Sequence, residues 1–257
     1  MRSALTGGLA VLSLLAGCAQ VPTGALEDDR LHNAIALDNA GYVQEAVQSG
    51  RMSVNQLVRT PGFPEGAPLI VVAARYASLN VLRYLISARA NINMRTRSGE
   101  TALMLASYFS EEDASRGAGS NERHEQAVRM LVEAGANLEN DPNSYTPLAY
   151  AAYQGHNRIV RYLIDRGARV DADAQDGTIY VNTPLMMAAI QGHLDTAMWL
   201  LRAGADAKVR IHMGHTAAEL ALKHNNPNMV GALKCAESLA PGEKFYQKCA
   251  GILSLRP

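Results

Sequence analysis

Apolar and small residues fall along this chain in short blocks of helical period, and the blocks recur. From Thr146 the chain reads TPLAYAAYQGHNRIVRYLIDRGARVDA, and from Thr183 it reads TPLMMAAIQGHLDTAMWLLRAGADAK. In each block Thr-Pro-Leu opens an apolar run that holds two alanines. Gln-Gly-His interrupts it, a second apolar run follows, and Gly-Ala closes the block. This alternation predicts pairs of antiparallel helices joined by a tight turn. Thr before Pro suits an N-cap followed by the first helical position. The small alanines let paired helices approach, the leucines bury against neighbouring pairs, and the closing glycine suits a left-handed helix terminus.

Two further stretches fit the same ruler. Ala73 and Arg89 stand as far apart as Ala151 and Gly167 or Ala188 and Gly204, with Arg89 where glycine is usual. Ala106 and Gly135 stand about 13 residues farther apart, so this repeat carries an insertion. The whole pattern resembles the ankyrin repeat, whose mark is T-P-L-H-x-A at a period of about 33. That resemblance implies an all-α solenoid of about five to six helix-turn-helix repeats. A degenerate first repeat spans 26–58, a loop at 60–68 leads to the second, and a last one begins at Gly214-His215-Thr216. Repeats then cover 26–238, and residues 239–257, with the run GEKFYQKCAGILSL, read as a C-terminal helical cap. The insertion, within 108–125, reads as a surface loop: either a functional one or a neutral solvated excursion.

Net charge is zero, with 24 basic and 24 acidic residues, and this argues against a nucleic-acid partner. The N-terminus has its own character. Arg2 precedes an apolar run from Ala4 to Ala16, as in a secretory signal over residues 1–17. Leu15-Ala16-Gly17-Cys18 resembles a bacterial lipobox, which implies acylation of Cys18; the other reading is an ordinary signal with an incidental cysteine. Ala19 rather than Asp implies the periplasmic face of the outer membrane, with residues 18–27 as a tether and the lipid as the only membrane contact. In the oxidising periplasm, Cys235 and Cys249, about 14 residues apart, read as a disulfide. Two free or metal-bound thiols are the alternative, but no second Cys or His pair stands at ligand spacing beside them.

Catalytic motifs are not found: there is no G-x-S-x-G, phosphate loop or dinucleotide fingerprint. No cofactor, metal or small-molecule substrate is expected, and the chain reads as a non-enzyme. His156 and His193 read as turn residues bonded to the next repeat. The ankyrin resemblance implies that the residues after the double alanine face a binding groove. These include Arg75, Tyr76, Tyr108, Phe109, Tyr153, Gln154, Ile190 and Gln191. It sets Tyr76, Tyr108, Phe109 and Tyr153 side by side as a partner-binding patch, or leaves one or two of them packed under the insertion. Finger tips add Arg95, Arg97, Tyr145, Ile179 and Tyr180, the last two on a finger about four residues longer than usual. Arg75, Arg95 and Arg97 bias one end toward an acidic partner surface. The expected function is binding of another protein. Lipidated ankyrin proteins resemble immunity proteins against periplasm-acting toxins such as type VI phospholipase effectors. An envelope scaffold or stress-protection protein holding a resident enzyme is the alternative.

Overall fold

The computed structural model describes residues 23–109, 121–139, 145–171, 182–210 and 214–249. Cys18, Ile179 and Tyr180, the middle of the insertion and the last eight residues lie outside them. Among the described residues six helix pairs follow one another. They are α1 (Thr23–Ala36) with α2 (Ala40–Gln48), and α3 (Leu69–Arg75) with α4 (Leu79–Ser87). Next come α5 (Ala102–Ser107) with α6 (Asn121–Glu133), and α7 (Pro147–Gln154) with α8 (Asn157–Asp165). Last are α9 (Pro184–Gln191) with α10 (Leu194–Arg202), then α11 (Ala217–Lys223) with α12 (Pro227–Glu237), making six pairs in all, and a single turn α13 (Phe245–Lys248). The first helices pack on one another in chain order to form an inner layer, and the second helices form an outer layer. α1 takes in residues 23–27, which the sequence assigns to a tether.

The inner helices start where the sequence says they should. Thr101, Thr146, Thr183 and Thr216 are buried and accept the backbone N–H three residues on, at 3.2–3.4 Å. Pro147 and Pro184 occupy the first turn, where a missing N–H costs nothing. Ala73, Ala106, Ala151 and Ala188 are all fully buried between layers. Gly155 and Gly192 end α7 and α9 in the left-handed region, with φ of 73° and 78°. A Cβ there would also stand 2.6 Å from the ring of His193 and 2.5 Å from Asn226 Oδ1. The glycine of one repeat is thus required both by its own turn and by the close approach of the next.

Two elements differ from expectation. The segment read as a loop at 60–68 is largely a strand. β1 (Leu57–Thr60) pairs antiparallel with β2 (Phe63–Pro68), so the fold is not purely helical. Alternation explains it: Val58 and Thr60 are buried while Leu57 and Arg59 face out. The far end of the insertion is helical. α6 begins at Asn121, and His124 is fully buried. Arg123 reaches back to Asp38 at 2.6 Å and to the carbonyl of Ala77 at 3.2 Å, tying the insertion to the first two repeats. At the other end Cys235 and Cys249 form a disulfide, with Cα atoms 6.0 Å apart, and Phe245 is buried beside it. Helix in the C-terminal segment is confined, among the described residues, to α13.

Candidate functional site

The inner helices share an exposed edge where their C-terminal residues and the connecting fingers meet. Tyr108 follows α5, Tyr150 and Tyr153 lie on α7, and Tyr145 precedes it. Their rings form one cluster. Tyr108 stacks on Tyr153 at 6.1 Å and meets Tyr150 edge-on at 5.0 Å, and Tyr145 meets Tyr150 edge-on at 6.0 Å. All four are half-buried, with aromatic surface left for a partner. Burial first, then the nearby Glu100 carboxylate and the neighbouring tyrosines, push the Tyr150 hydroxyl up to about 12. It stays a neutral phenol, a donor and acceptor rather than a charge. Tyr150 was missed in the sequence because it precedes the double alanine Ala151-Ala152; three-residue helical spacing to Tyr153 was the available signal.

Other expected groove residues are placed differently. Phe109 is 4% exposed, sandwiched between His124 at 4.1 Å and His156 at 3.8 Å, so it is core and not a docking surface. The insertion causes this by returning His124 over the end of α5. Tyr76 meets His32, with its hydroxyl 2.8 Å from His32 Nε2. Gln154 donates to the carbonyl of Tyr108 at 3.4 Å, which joins two repeats. Ile190 is half-buried and Gln191 exposed. Around the hairpin, Arg97 pairs with Glu65 at 3.0 Å and Arg75 lies over the Phe63 ring at 5.9 Å. Arg95 bridges to Thr101 through the backbone. The basic end is thus partly answered by its own chain.

His156 and His193 bond to the preceding repeat and not to the next. His156 Nε2 lies 2.8 Å from the carbonyl of Phe109, and His193 bonds the carbonyl of Tyr153. Ser78 donates to the carbonyl of Ile35 at 2.5 Å. Asn226 donates to those of Ala189 and Ile190 at 3.0 and 2.8 Å. Each of these residues opens an outer helix and satisfies a carbonyl left over at the end of the previous inner helix. Burial lowers the imidazole pKa of both His156 and His193, opposed by the carbonyls that accept from them. A second ladder joins the fingers: Asn55, Asn93, Glu139 and Asp171 accept the backbone N–H of Asn91, Asn137, Arg169 and Asp206 at 2.8–3.0 Å.

Among the described residues no three His, Cys, Asp or Glu side chains could hold a metal ion, and no helix is long and apolar enough to cross a membrane. The arrangement offers a surface for docking. Residues 118–176 and 171–240 match the family of ankyrin repeats in three copies, and 70–116 match that of ankyrin repeats in many copies. The chain belongs to the ankyrin-repeat family, whose repeats are protein-interaction modules and typically non-catalytic. It is similar to Ankyrin repeat and SOCS box protein 16 of Mus musculus, 38% identical over 109 residues, which is 40% of this chain and 22% of that protein. The Homo sapiens form is 35% identical over 111 residues, 43% of this chain and 23% of that one. BCL-6 corepressor-like protein 1 of Homo sapiens is 37% identical over 81 residues, 32% of this chain and 4% of that protein. The chain thus spans less than a quarter of the length of each.

Proposed function

We propose that this protein is a non-enzymatic binder that docks another protein on the inner-helix groove through the Tyr108, Tyr145, Tyr150 and Tyr153 cluster. The tyrosine cluster carries this reading. Four adjoining rings, rigid and half-exposed, are the residue type that dominates binding hot spots. Leu15-Ala16-Gly17-Cys18 supports export and a lipid anchor on Cys18, with the protein on the periplasmic face of the outer membrane. In that location the best reading is an immunity protein that neutralises a toxin acting on the periplasm or its membranes, such as a phospholipase effector. A tether keeps the binder at the surface such a toxin attacks.

The test is capture of the tagged, full chain from envelope extracts, with mass spectrometry of what co-purifies. A single stoichiometric hydrolase of toxin type supports the immunity reading, and a resident envelope enzyme supports a scaffold instead. Replacing Tyr108 and Tyr153 together by Ala should weaken the captured complex by about 2–4 kcal/mol while leaving the circular dichroism spectrum unchanged. Unchanged affinity removes the groove from the reading.

A further inference from the structure

The outer layer carries a second constellation, remote in kind from the tyrosine cluster. A hollow of about 280 Å³ between α6 and α8 is lined by Arg129, Arg158, Arg161, Tyr162 and Asp165. Its volume is at the small end of ligand pockets. Arg158 and Arg161 stand one helical turn apart on α8, and Arg129 comes from α6, so three arginines line one space. Arg129 lies over the Tyr162 ring at 4.5 Å, and Arg166 over the same ring at 4.7 Å. Arg161 lies over Trp199 at 4.3 Å. Stacking holds these guanidinium planes in place while leaving their N–H edges available. Among the described residues neither Arg129 nor Arg161 makes an ion pair, and Arg158 has only Glu125 at 3.6 Å. Asp165 is the one carboxylate in the lining.

Tyr162 supplies an independent observation. Its side chain is 8% exposed, and its hydroxyl is buried with no hydrogen-bond partner among the described residues. Buried hydroxyls are nearly always bonded, and one left over calls for a ligand or a reason. Tyr162 lines the hollow, so an oxyanion bound there would give it one. Three arginine forks and a phenol offer more donors than the two oxygens of a carboxylate take up, whereas a phosphate group presents oxygens in several directions. Asp165, also in the lining, would accept a hydrogen bond from a protonated phosphate oxygen, which sulfate does not supply.

We propose that the hollow between α6 and α8, formed by Arg129, Arg158, Arg161 and the Tyr162 hydroxyl, binds a phosphate group, free in solution or carried by a lipid headgroup. The site stands on a different face from the tyrosine cluster and does not depend on the groove reading. A reporter is built in. Trp199 is the chain's one tryptophan, and it lies under Arg161. Its emission should change and saturate when the full chain is titrated with inorganic phosphate at constant ionic strength, with a weaker response to sulfate. In the second arm the Cys18→Ser protein, which carries no acylated cysteine, is floated with vesicles of phosphatidylglycerol and of phosphatidylcholine. Response to phosphate names the free ion; flotation with phosphatidylglycerol alone names the headgroup.

Two variants keep the result interpretable. Arg129→Gln with Arg158→Gln alters exposed side chains and should cost about tenfold or more in affinity. Tyr162→Phe keeps the ring under the guanidinium groups, removes only the hydroxyl, and should lose several-fold. No response in either arm overturns the proposal, and so does an identical response in the native protein and both variants.

Discussion

His156 provides the sharpest test of how the repeats are joined. It opens α8, reaches across to the carbonyl of Phe109 at 2.8 Å, and lies flat on the Phe109 ring, 6° from parallel. His156→Ala leaves that carbonyl at a repeat junction without its donor, a loss of about 1–3 kcal/mol. The lost ring contact adds about 0.5–1.5 kcal/mol. Together the variant should be destabilised by about 2–4 kcal/mol in urea unfolding followed by circular dichroism. The chain itself suggests the control. Asn226 does the same job in the last repeat with an amide, so His156→Asn should keep the hydrogen bond and lose only about 1 kcal/mol for the stack.

The two variants also separate a pH effect. Burial holds the His156 pKa below its ordinary value of 6.5 in the folded protein. Above 6.5 the ring is neutral folded and unfolded, and its contacts stabilise fully. As pH falls below 6.5 the unfolded chain takes up a proton first, so stability falls with pH until the folded value is reached. His193 and His32 are lowered for the same reason, burial, and add to the slope. Unfolding at neutral pH and at about pH 5.5, one unit below the ordinary value, should show a smaller acid loss in His156→Asn than in the native protein. An Ala variant within about 0.5 kcal/mol of the native protein, or equal acid slopes in the native and Asn forms, would refute the account of the junction.

Three other outcomes follow from particular residues. Arg89 ends α4 in the left-handed region at φ 59°, where a side chain is strained, so Arg89→Gly should raise stability by about 1 kcal/mol in thermal or urea unfolding. Replacing Cys235 and Cys249 by Ser opens a loop whose ends are 14 residues apart and should cost about 3 kcal/mol, measured against the oxidised native protein. Cys18→Ser should move the protein from the membrane fraction to the soluble periplasm on fractionation; retention in membranes would set aside the lipobox reading.

The repeated Thr-Pro-Leu, double alanine and Gly-His were enough to predict paired helices, their starts and their stacking order. Those features are local: an N-cap, a proline φ, a small side chain at a helix contact. They act within a few residues, so they are written in consecutive letters. The insertion was visible as extra length between Ala106 and Gly135, but not what its far end does. Arg123 finds Asp38 across 85 positions, and His124 folds onto Phe109, because the returning chain lands over the end of α5. That landing turns an expected groove aromatic into core. Likewise Tyr145, Tyr150, Tyr108 and Tyr153 are spread over two repeats and a finger, and only their stacking makes one patch. The direction of the histidine bonds, back toward the previous repeat, was also decided in three dimensions, because the unsatisfied carbonyls lie at the end of the preceding inner helix. Spacing along the chain determined the elements; which side chains meet across them depended on where each helix end was left with surface or hydrogen-bonding groups to satisfy.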